Sequence, residues 1–393
     1  MDVKGCQKML TDVRKIHLLF FVNVDWFFIS HRLAIAEKAL REGYEVTIAC
    51  RFTEHKAELS AMGFNVVDIP FSRSGGGAKA EINTIKAIKQ VIEDVEPSLI
   101  HAITIKPVLY TGVALKAVKE DIPFVAAISG LGYVFTANTF RAKVTKLIAS
   151  VFYKVALSQK FKTVIFQNTS DEAILTRVAK LKRTDKVLIK GSGADLSVYT
   201  FKPENQTLPL KVVMACRLLK EKGVYQYIEA ARLVKKCHSD VEFLLVGTPD
   251  LENPNTVKQT EIEQWVNEGA INYLGHSNDI PGVFSDCNIV CLPSFYGEGV
   301  PKVLIEAAAC GRAIVTTDNP GCRDAVIEGK TGLTVPVRDS VKLAEALSKL
   351  VTDTKLRLEM GKNARSFAEQ EFDVDSVVHK HIEIYTNLLK RSL

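Results

Sequence analysis

Two glutamates, Glu298 and Glu306, lie eight residues apart in the run PSFYGEGVPKVLIEAAACGRAIVTTDNPGCRDAVIEGKTGLTVP, residues 293–336. The apolar run Ile289–Leu292 reads as a strand that ends at Pro293. A loop with Tyr296, Gly297, Glu298 and Gly299 follows, and a helix is expected to begin near Pro301, because proline suits the first helical position. A strand end, a glycine-containing loop and a helix N-terminus together present free backbone N–H groups and the positive end of a helix dipole. Such a place suits an anion or a ring of sugar hydroxyls. Glu306 is enclosed by Val303, Leu304, Ile305, Ala307, Ala308 and Ala309. A carboxylate in so apolar a helix needs a specific hydroxyl or cation partner. The plainer alternative is a solvated surface glutamate.

A second cluster reads Arg217-Leu-Leu-Lys-Glu-Lys222-Gly223, between the strand Lys211–Cys216 and a helix from Val224. Arginine gives a two-pronged phosphate contact and lysine a point charge, so cations at a strand end can hold a diphosphate. A solvated basic turn is the alternative. The loops Gly247–Asp250 and Gly275–Asp279 follow the next two strands and would wall in a nucleotide base, with Gly247 and Asn278 as contacts.

Short β-rich apolar runs alternate with helix-period stretches along most of the chain. Strands are expected at Ile16–Val22, Glu45–Cys50, Asn65–Ile69, Leu99–Ala102, Phe124–Ile128, Thr163–Gln167 and Lys186–Ile189. A second series reads Lys211–Cys216, Val241–Val246, Ile271–Leu274, Ile289–Leu292, Ala313–Thr316 and Gly332–Val335. Helices fall between them, for example Arg32–Arg41, Ile82–Val95 and Val108–Lys119. This alternation builds parallel sheets covered by helices, an α/β fold. The pattern restarts after the polar interlude Tyr199–Leu210, which contains Pro203 and Pro209. The expected domains are therefore 1–200, 201–372 and a last helix, 373–393. Two Rossmann-like domains would face across a cleft, with ligands beyond the carboxyl ends of the strands. Residues 339–391 read as helices only, and the last is expected to cross back to the first domain.

The chain has 393 residues, 47% hydrophobic and 24% charged, which excludes disordered, collagen-like and coiled-coil classes. No apolar stretch approaches the ~20 residues of a membrane span, and MDVKGCQKMLTDVRK has no signal-peptide core. A cytoplasmic location is expected. The eight cysteines have no metal-ligand spacing and read as reduced thiols. His379 and His381 fall on different faces of a helix, and Gly130-Leu-Gly132 reads as a turn rather than a dinucleotide loop. Residues 1–190 hold 28 Lys+Arg against 18 Asp+Glu, whereas the rest of the chain is net acidic. The first half should therefore face something anionic: nucleic acid, a phospholipid surface or a phosphorylated substrate.

The segment Arg141–Lys162 concentrates this charge, with Arg141, Lys143, Lys146, Lys154, Lys160 and Lys162 and no acid. Val144, Leu147, Ile148, Val151, Phe152 and Val155 follow helical spacing. That face either packs on its own domain or lies in a membrane interface. No aromatic stacking pattern accompanies the cations, which disfavours nucleic acid.

The pair Glu298 and Glu306, the pair Arg217 and Lys222, and the run Gly299-Val-Pro301-Lys-Val-Leu-Ile-Glu306-Ala resemble retaining GT-B glycosyltransferases of family 4. The resemblance covers the whole chain. The subgroup it is most similar to extends polyprenyl-diphosphate-linked glycans in bacterial surface polysaccharide and glycan assembly. Shared stretches are His101-Ala-Ile-Thr-Ile-Lys-Pro107, Ser129-Gly-Leu-Gly-Tyr133 and Pro320-Gly-Cys-Arg-Asp324.

The resemblance implies that Arg217 and Lys222 hold the donor diphosphate, that Glu306 binds the ribose and that Glu298 with Gly299, Val300 and Pro301 contacts the donor sugar. The donor would be a UDP-sugar, with an N-acetylhexosamine as the sugar, and no metal or cofactor would be needed. The place would be the inner face of the cell membrane, without nucleic acid as a partner. His101 is the candidate catalytic residue of the first domain, or a buried structural histidine. It stands where many relatives carry His-x-His, and Ile103 takes the second place. A glycine pair common after the first strand is replaced by Val22-Asn-Val-Asp25-Trp-Phe-Phe-Ile-Ser-His31-Arg32, read as a loop. Asp25, Trp26, His31, Thr104 and Lys106 are the candidates for gripping the acceptor. Two rival readings are a sugar-nucleotide 2-epimerase on the same scaffold and a non-catalytic nucleotide-sugar-binding subunit.

Overall fold

The computed structural model of the chain describes residues 15–71, 77–132 and 140–392, with 140–144 described by backbone alone. Readings that fall on Cys6, Tyr133, the first fourteen residues, and the side chains of Arg141, Lys143 and Val144 lie outside the described residues.

Among the described residues, thirteen strands form two sheets. The first contains β1 (His17–Val24), β2 (Glu45–Arg51), β3 (Asn65–Asp68), β4 (Leu99–Ile103), β5 (Phe124–Ile128), β6 (Lys162–Phe166) and β7 (Lys186–Leu188), in the order β3-β2-β1-β4-β5-β6-β7. The second contains β8 (Leu210–Ala215), β9 (Val241–Val246), β10 (Asn272–Gly275), β11 (Ile289–Leu292), β12 (Ala313–Thr317) and β13 (Gly332–Val335), in the order β10-β9-β8-β11-β12-β13. Neighbouring strands run parallel, with Phe20 opposite both Ile48 and His101, and Val213 opposite both Leu244 and Val290. Each order reverses direction beside its first strand, between β1 and β4 and between β8 and β11. The carboxyl ends of strands at such a reversal are where ligands bind in open α/β sheets.

The strands are short apolar runs because both faces are covered. Every residue of β4, β5, β11 and β12 is buried. The helices between them start at chemically legible caps. Asn168, Asp279, Asp339 and Asp353 each accept a backbone N–H three residues ahead, at 2.7 to 2.9 Å. Such caps contribute about 1 kcal/mol each.

The chain divides into two compact units. One holds the described residues up to Ala127 together with Phe152–Val164 and the residues from Val378 onward; the other holds Ile128–Val151 and Ile165–Val377. The last helix, Val374–Ser392, brings Tyr385 against His101 inside the first unit, so the C-terminal helix does cross back. Within the second unit, the buried ion pair Arg357–Glu204 at 2.8 Å ties the helix Thr354–Glu371 to the segment before β8.

Two local expectations need correction. The helix after β1 begins at Asp25, seven residues before the expected Arg32, so Trp26, Phe27, Phe28 and His31 are helical rather than in a loop. Nothing in Asp25–His31 breaks a helix, and an acid in the first turn favours one. The helix after the Glu298 loop is Lys302–Ala309, and Pro301 is its cap with φ −62° and ψ 125°. Proline therefore sits one place before the first helical position. Among the described residues no helix is long and apolar enough to cross a membrane.

Candidate functional site

In the second unit, chemistry gathers at the ends of β8 and β11. Beyond β8, a short turn, Lys220–Lys222, ends at Gly223, whose φ is +83°. A Cβ there would lie 2.1 Å from the Pro293 carbonyl oxygen, so only glycine lets this turn close on the end of β11. Phe295 N–H donates to the Glu221 carbonyl at 3.0 Å, closing the same contact. The result places Lys222 Nζ 2.5 Å from Glu298 Oε2, with both side chains about seven-eighths buried at 14% and 13% exposure. The other carboxylate oxygen, Oε1, accepts the hydroxyl of the fully buried Ser294 at 2.6 Å. Arg217 Nη1 lies 3.1 Å from Asp250 Oδ2 in the loop after β9.

These charges share one neighbourhood. Burial pushes the Cys216 thiol up to about 12, and the charges it feels are Lys222, Glu298 and Arg217. The Tyr296 hydroxyl is likewise raised, first by burial and then by Glu298, with Arg217 and Lys222 opposing. Three of the four residues singled out in sequence thus converge around Cys216 and Tyr296. The fourth, Glu306, is 8% exposed on the following helix. Tyr199 donates its hydroxyl to Glu306 Oε1 at 2.6 Å, and Lys302 Nζ lies 3.4 Å from the same oxygen. Burial raises the Glu306 carboxyl above its ordinary range, while Lys302 and Tyr199 pull it back. The hydroxyl and cation partners demanded by its apolar surroundings are both present.

The loop between the two glutamates is fixed by close backbone packing. Gly299 N–H donates to the Ser129 carbonyl at 3.1 Å, and Gly132 N–H donates to the Gly297 carbonyl at 3.0 Å. A Cβ on Gly130, where φ is +108°, would sit 2.5 Å from the Gly297 oxygen. Gly130 and Gly132 therefore form a turn that clasps the Glu298 loop. Val300 is buried and Pro301 leads into the helix. A Cβ on Gly247 would lie 1.9 Å from the Cys216 carbonyl oxygen, so this glycine allows β8 and β9 to end side by side. Asn278 is exposed, and its Oδ1 lies 2.9 Å from His276 Nε2.

In the first unit the candidate residues occupy separate settings. Asp25 is fully buried, and its carboxylate accepts the backbone N–H groups of Thr53, Glu54 and His55 at 2.8, 3.0 and 3.0 Å. Burial alone would raise its pKa, but these donors outweigh it and hold the carboxyl at about 2. Its observed task is to fix the loop after β2. His31 stacks on Phe27 at 4.1 Å between ring centres, beside the partly exposed Trp26. Thr104, directly after β4, caps the next helix with φ +72° and ψ 171°, a region almost reserved for glycine. Its Oγ1 is buried without a hydrogen-bond partner. Lys106 Nζ lies 2.8 Å from Glu81 Oε1, and Tyr110 donates to Oε2 of the same glutamate at 2.6 Å. His101 has no exposed surface, and Tyr385 takes its Nδ1.

The site also contains Tyr199, Asp250 and Ser294, which no motif in the sequence marks. Tyr199 carries a weak signal, an aromatic hydroxyl at the start of the polar interlude. Asp250 lay in a loop assigned to the nucleotide base without a charge partner. Ser294 had no signal of its own.

Two family models match successive parts of the chain. The family described as "Glycosyl transferases group 1" matches residues 199–367, and that described as "Glycosyl transferase 4-like" matches residues 17–168. A Campylobacter jejuni protein named N,N'-diacetylbacillosaminyl-diphospho-undecaprenol alpha-1,3-N-acetylgalactosaminyltransferase is 31% identical over 367 residues, covering 90% of this chain and 94% of that one. The crystal structure of Anabaena HepE in complex with UDP and glucose superposes with a TM-score of 0.73 at 20% identity, over 95% of this chain and all of that one. Sucrose-phosphate synthase from Thermosynechococcus elongatus gives a TM-score of 0.75 at 20% identity, over 96% of this chain and all of that one. The two solved structures share the fold, two parallel-sheet Rossmann-like domains of the GT-B kind. With a basic and acidic cluster at the strand ends of its second sheet, and a relative of that identity along almost its whole length, this chain belongs to the group 1, family-4-like glycosyltransferases.

Proposed function

We propose that this glycosyltransferase moves a sugar from a nucleotide sugar to a saccharide carried on a polyprenyl diphosphate, with retention at the transferred carbon and without a metal ion. The observation that carries the reading is the convergence of Arg217, Lys222 and Glu298 at the ends of β8 and β11, with Glu306 on the next helix. A departing nucleoside diphosphate gains negative charge in the transition state. Fixed cations then stabilise it more than they stabilise the bound donor, which is what accelerates transfer. Arg217 and Lys222 supply those cations directly. Glu306, held by Tyr199 and Lys302, accepts hydrogen bonds from the ribose hydroxyls. Glu298, held by Ser294, contacts the donor sugar together with Gly299, Val300 and Pro301. Gly247 and Asn278 border the base.

Residues 1–200 take the acceptor and residues 201–372 the donor, with residues 373–393 returning to brace the first domain. In the acceptor domain Trp26, His31, Thr104 and Lys106 meet the acceptor, and Asp25 holds the loop beside them. His101, with no exposed surface, serves this domain as a structural residue. The donor is a UDP-sugar, with an N-acetylhexosamine as the sugar, and the acceptor class follows the name of the Campylobacter relative. The exposed apolar face of the helix Phe140–Ala156 supports attachment to the inner surface of the cell membrane, where such an acceptor resides.

The test is transfer from a panel of nucleotide sugars to undecaprenyl-diphosphate-linked saccharides. Arg217→Ala and Lys222→Ala should each lower turnover about 100-fold or more, the scale for removing a group aimed at developing charge. Near-wild-type transfer by either variant removes that residue from the site. Conversion of the donor alone into an isomer would instead support an epimerase.

A further inference from the structure

Both cations assigned to the diphosphate already hold a carboxylate. Lys222 pairs with Glu298, and Arg217 pairs with Asp250 at 3.1 Å. The second pair is uneven: the Asp250 side chain is 10% exposed and that of Arg217 is 46% exposed. The acid is anchored and the base faces solvent.

The anchoring comes from the backbone. Leu218 N–H donates to the Thr248 carbonyl at 3.1 Å, Lys220 N–H to Asn255 at 2.9 Å, and Val257 N–H returns to Leu218 at 2.8 Å. Leu219 and Thr256 form an antiparallel bridge, and Asp250 N–H donates to Thr256 Oγ1 at 2.8 Å. The loop from Thr248 to Val257 is therefore stitched to the segment that carries Arg217. Asp250 stays beside the guanidinium when a ligand arrives. Glu298 differs, because its proposed task is the donor sugar itself.

We propose that Asp250 is an affinity-setting residue of the donor site: a fixed counter-charge that competes with a nucleoside diphosphate for Arg217 and so hastens release of the spent product. The inference rests on the reading that Arg217 holds the donor diphosphate. A guanidinium has five N–H donors, so carboxylate and diphosphate can share it in geometry. They cannot share it without repulsion, since both are anions within a few ångströms of one another. Two unopposed cations would grip the product as tightly as the donor and slow each cycle. One retained carboxylate lowers the grip on both, and the sugar contacts, which the product lacks, restore it for the donor alone.

Calorimetric titration with UDP and with inorganic pyrophosphate tests this on the full-length protein, wild type, Asp250→Asn, Arg217→Ala and the double variant. Asp250→Asn should bind UDP about three- to tenfold more tightly, with a steeper loss of affinity as salt rises. Pyrophosphate should follow the same trend, because the effect lies in the phosphates. In the Arg217→Ala background the Asp250 substitution should gain little, since the shared partner is gone. Unchanged or weaker UDP binding by Asp250→Asn, with Arg217→Ala still impaired, overturns the counter-charge role and leaves the donor-site reading intact. UDP binding unaffected by Arg217→Ala overturns both. Asp250→Ser, which keeps a small polar group, should repeat the gain, and a loss in both variants would show that Asp250 orients Arg217 rather than opposing its ligand.

Discussion

His101 Nδ1 lies 2.6 Å from the hydroxyl of Tyr385, joining the middle of β4 to the last helix across 284 residues of sequence. The pair is sealed among Phe20, His381 and the buried Arg32. Burial, then His381, then Arg32 hold the His101 pKa well below its ordinary value, so the ring stays neutral in the folded protein. Burial also lowers the Arg32 guanidinium to about 10, with Tyr385 opposing, so it remains charged near neutrality. The Tyr385 hydroxyl is raised by burial, with Arg32 lowering it and Tyr44 raising it.

The sign of the pH dependence follows. Below about pH 6.5 the unfolded chain protonates His101 and the folded chain does not. Stability from this group is full above that pH and falls as the solution is acidified, by up to about 1.4 kcal/mol per pH unit. Urea unfolding at pH 7.5, 6.5 and 5.5 should show this fall, and His101→Asn should flatten it. Tyr385→Phe should cost about 1–3 kcal/mol at neutral pH by leaving the imidazole nitrogen unpaired. Transfer activity should survive Tyr385→Phe in proportion to the folded fraction.

The sequence made the donor cluster legible because its signals are local. Arg217 and Lys222 follow β8 directly, Glu298 lies in the loop after β11, and Glu306 lies in the helix that follows it. Each could be placed from strand ends, glycines and a proline alone. Their partners were not legible. Tyr199 lies 107 residues from Glu306, and Asp250 lies 33 from Arg217. Only the folding of the second sheet and the segments around it brings those side chains together. The start of the first helix was misplaced for another reason: Trp26, Phe27 and Phe28 are consecutive aromatics, without the alternation that marks one buried helical face. Phe28 is buried, whereas Trp26 and Phe27 are partly exposed.

The two glutamates should separate kinetically. Glu306→Ala should raise the donor KM with a smaller effect on kcat, because ribose contacts are similar in the bound donor and the transition state. Glu298→Ala should lower kcat as well, since the sugar changes shape during transfer. Swapped phenotypes would reverse the assignment. Tyr199→Phe tests the support beneath Glu306. Loss of one hydrogen bond to a carboxylate, about 1.5–3 kcal/mol, should raise the donor KM roughly ten- to a hundredfold if the carboxylate becomes disordered. The Glu306 carboxyl is already raised by burial, and Tyr199 is one of the groups that lower it. Without that hydroxyl it should protonate at higher pH, so the weakening of donor binding on acidification should begin at higher pH in Tyr199→Phe than in wild type.

The helix Phe140–Ala156 carries the basic segment singled out in the sequence. Leu147, Ile148, Val151, Phe152 and Val155 are 67%, 54%, 56%, 41% and 40% exposed, so the face that helical spacing marked as apolar is turned to solvent. Lys146 and Lys154 lie on the same helix and are exposed. A helix of this kind suits the headgroup boundary of an anionic bilayer. Each cation there is worth about 1 kcal/mol, screened within about 8–10 Å, and each apolar side chain adds by burial. The protein should sediment with anionic liposomes at low salt and be partly released at high salt. Lys146→Glu with Lys154→Glu should weaken that binding at least about thirtyfold, from two lost attractions. Leu147→Ser with Ile148→Ser and Val151→Ser should weaken it too, and should remove the fraction that resists salt. UDP binding should be unchanged in both sets, because Arg217, Lys222, Glu298 and Glu306 lie on other elements. Equal binding to neutral and anionic liposomes, indifferent to salt and to both sets of substitutions, would mean that this face meets something other than an anionic membrane.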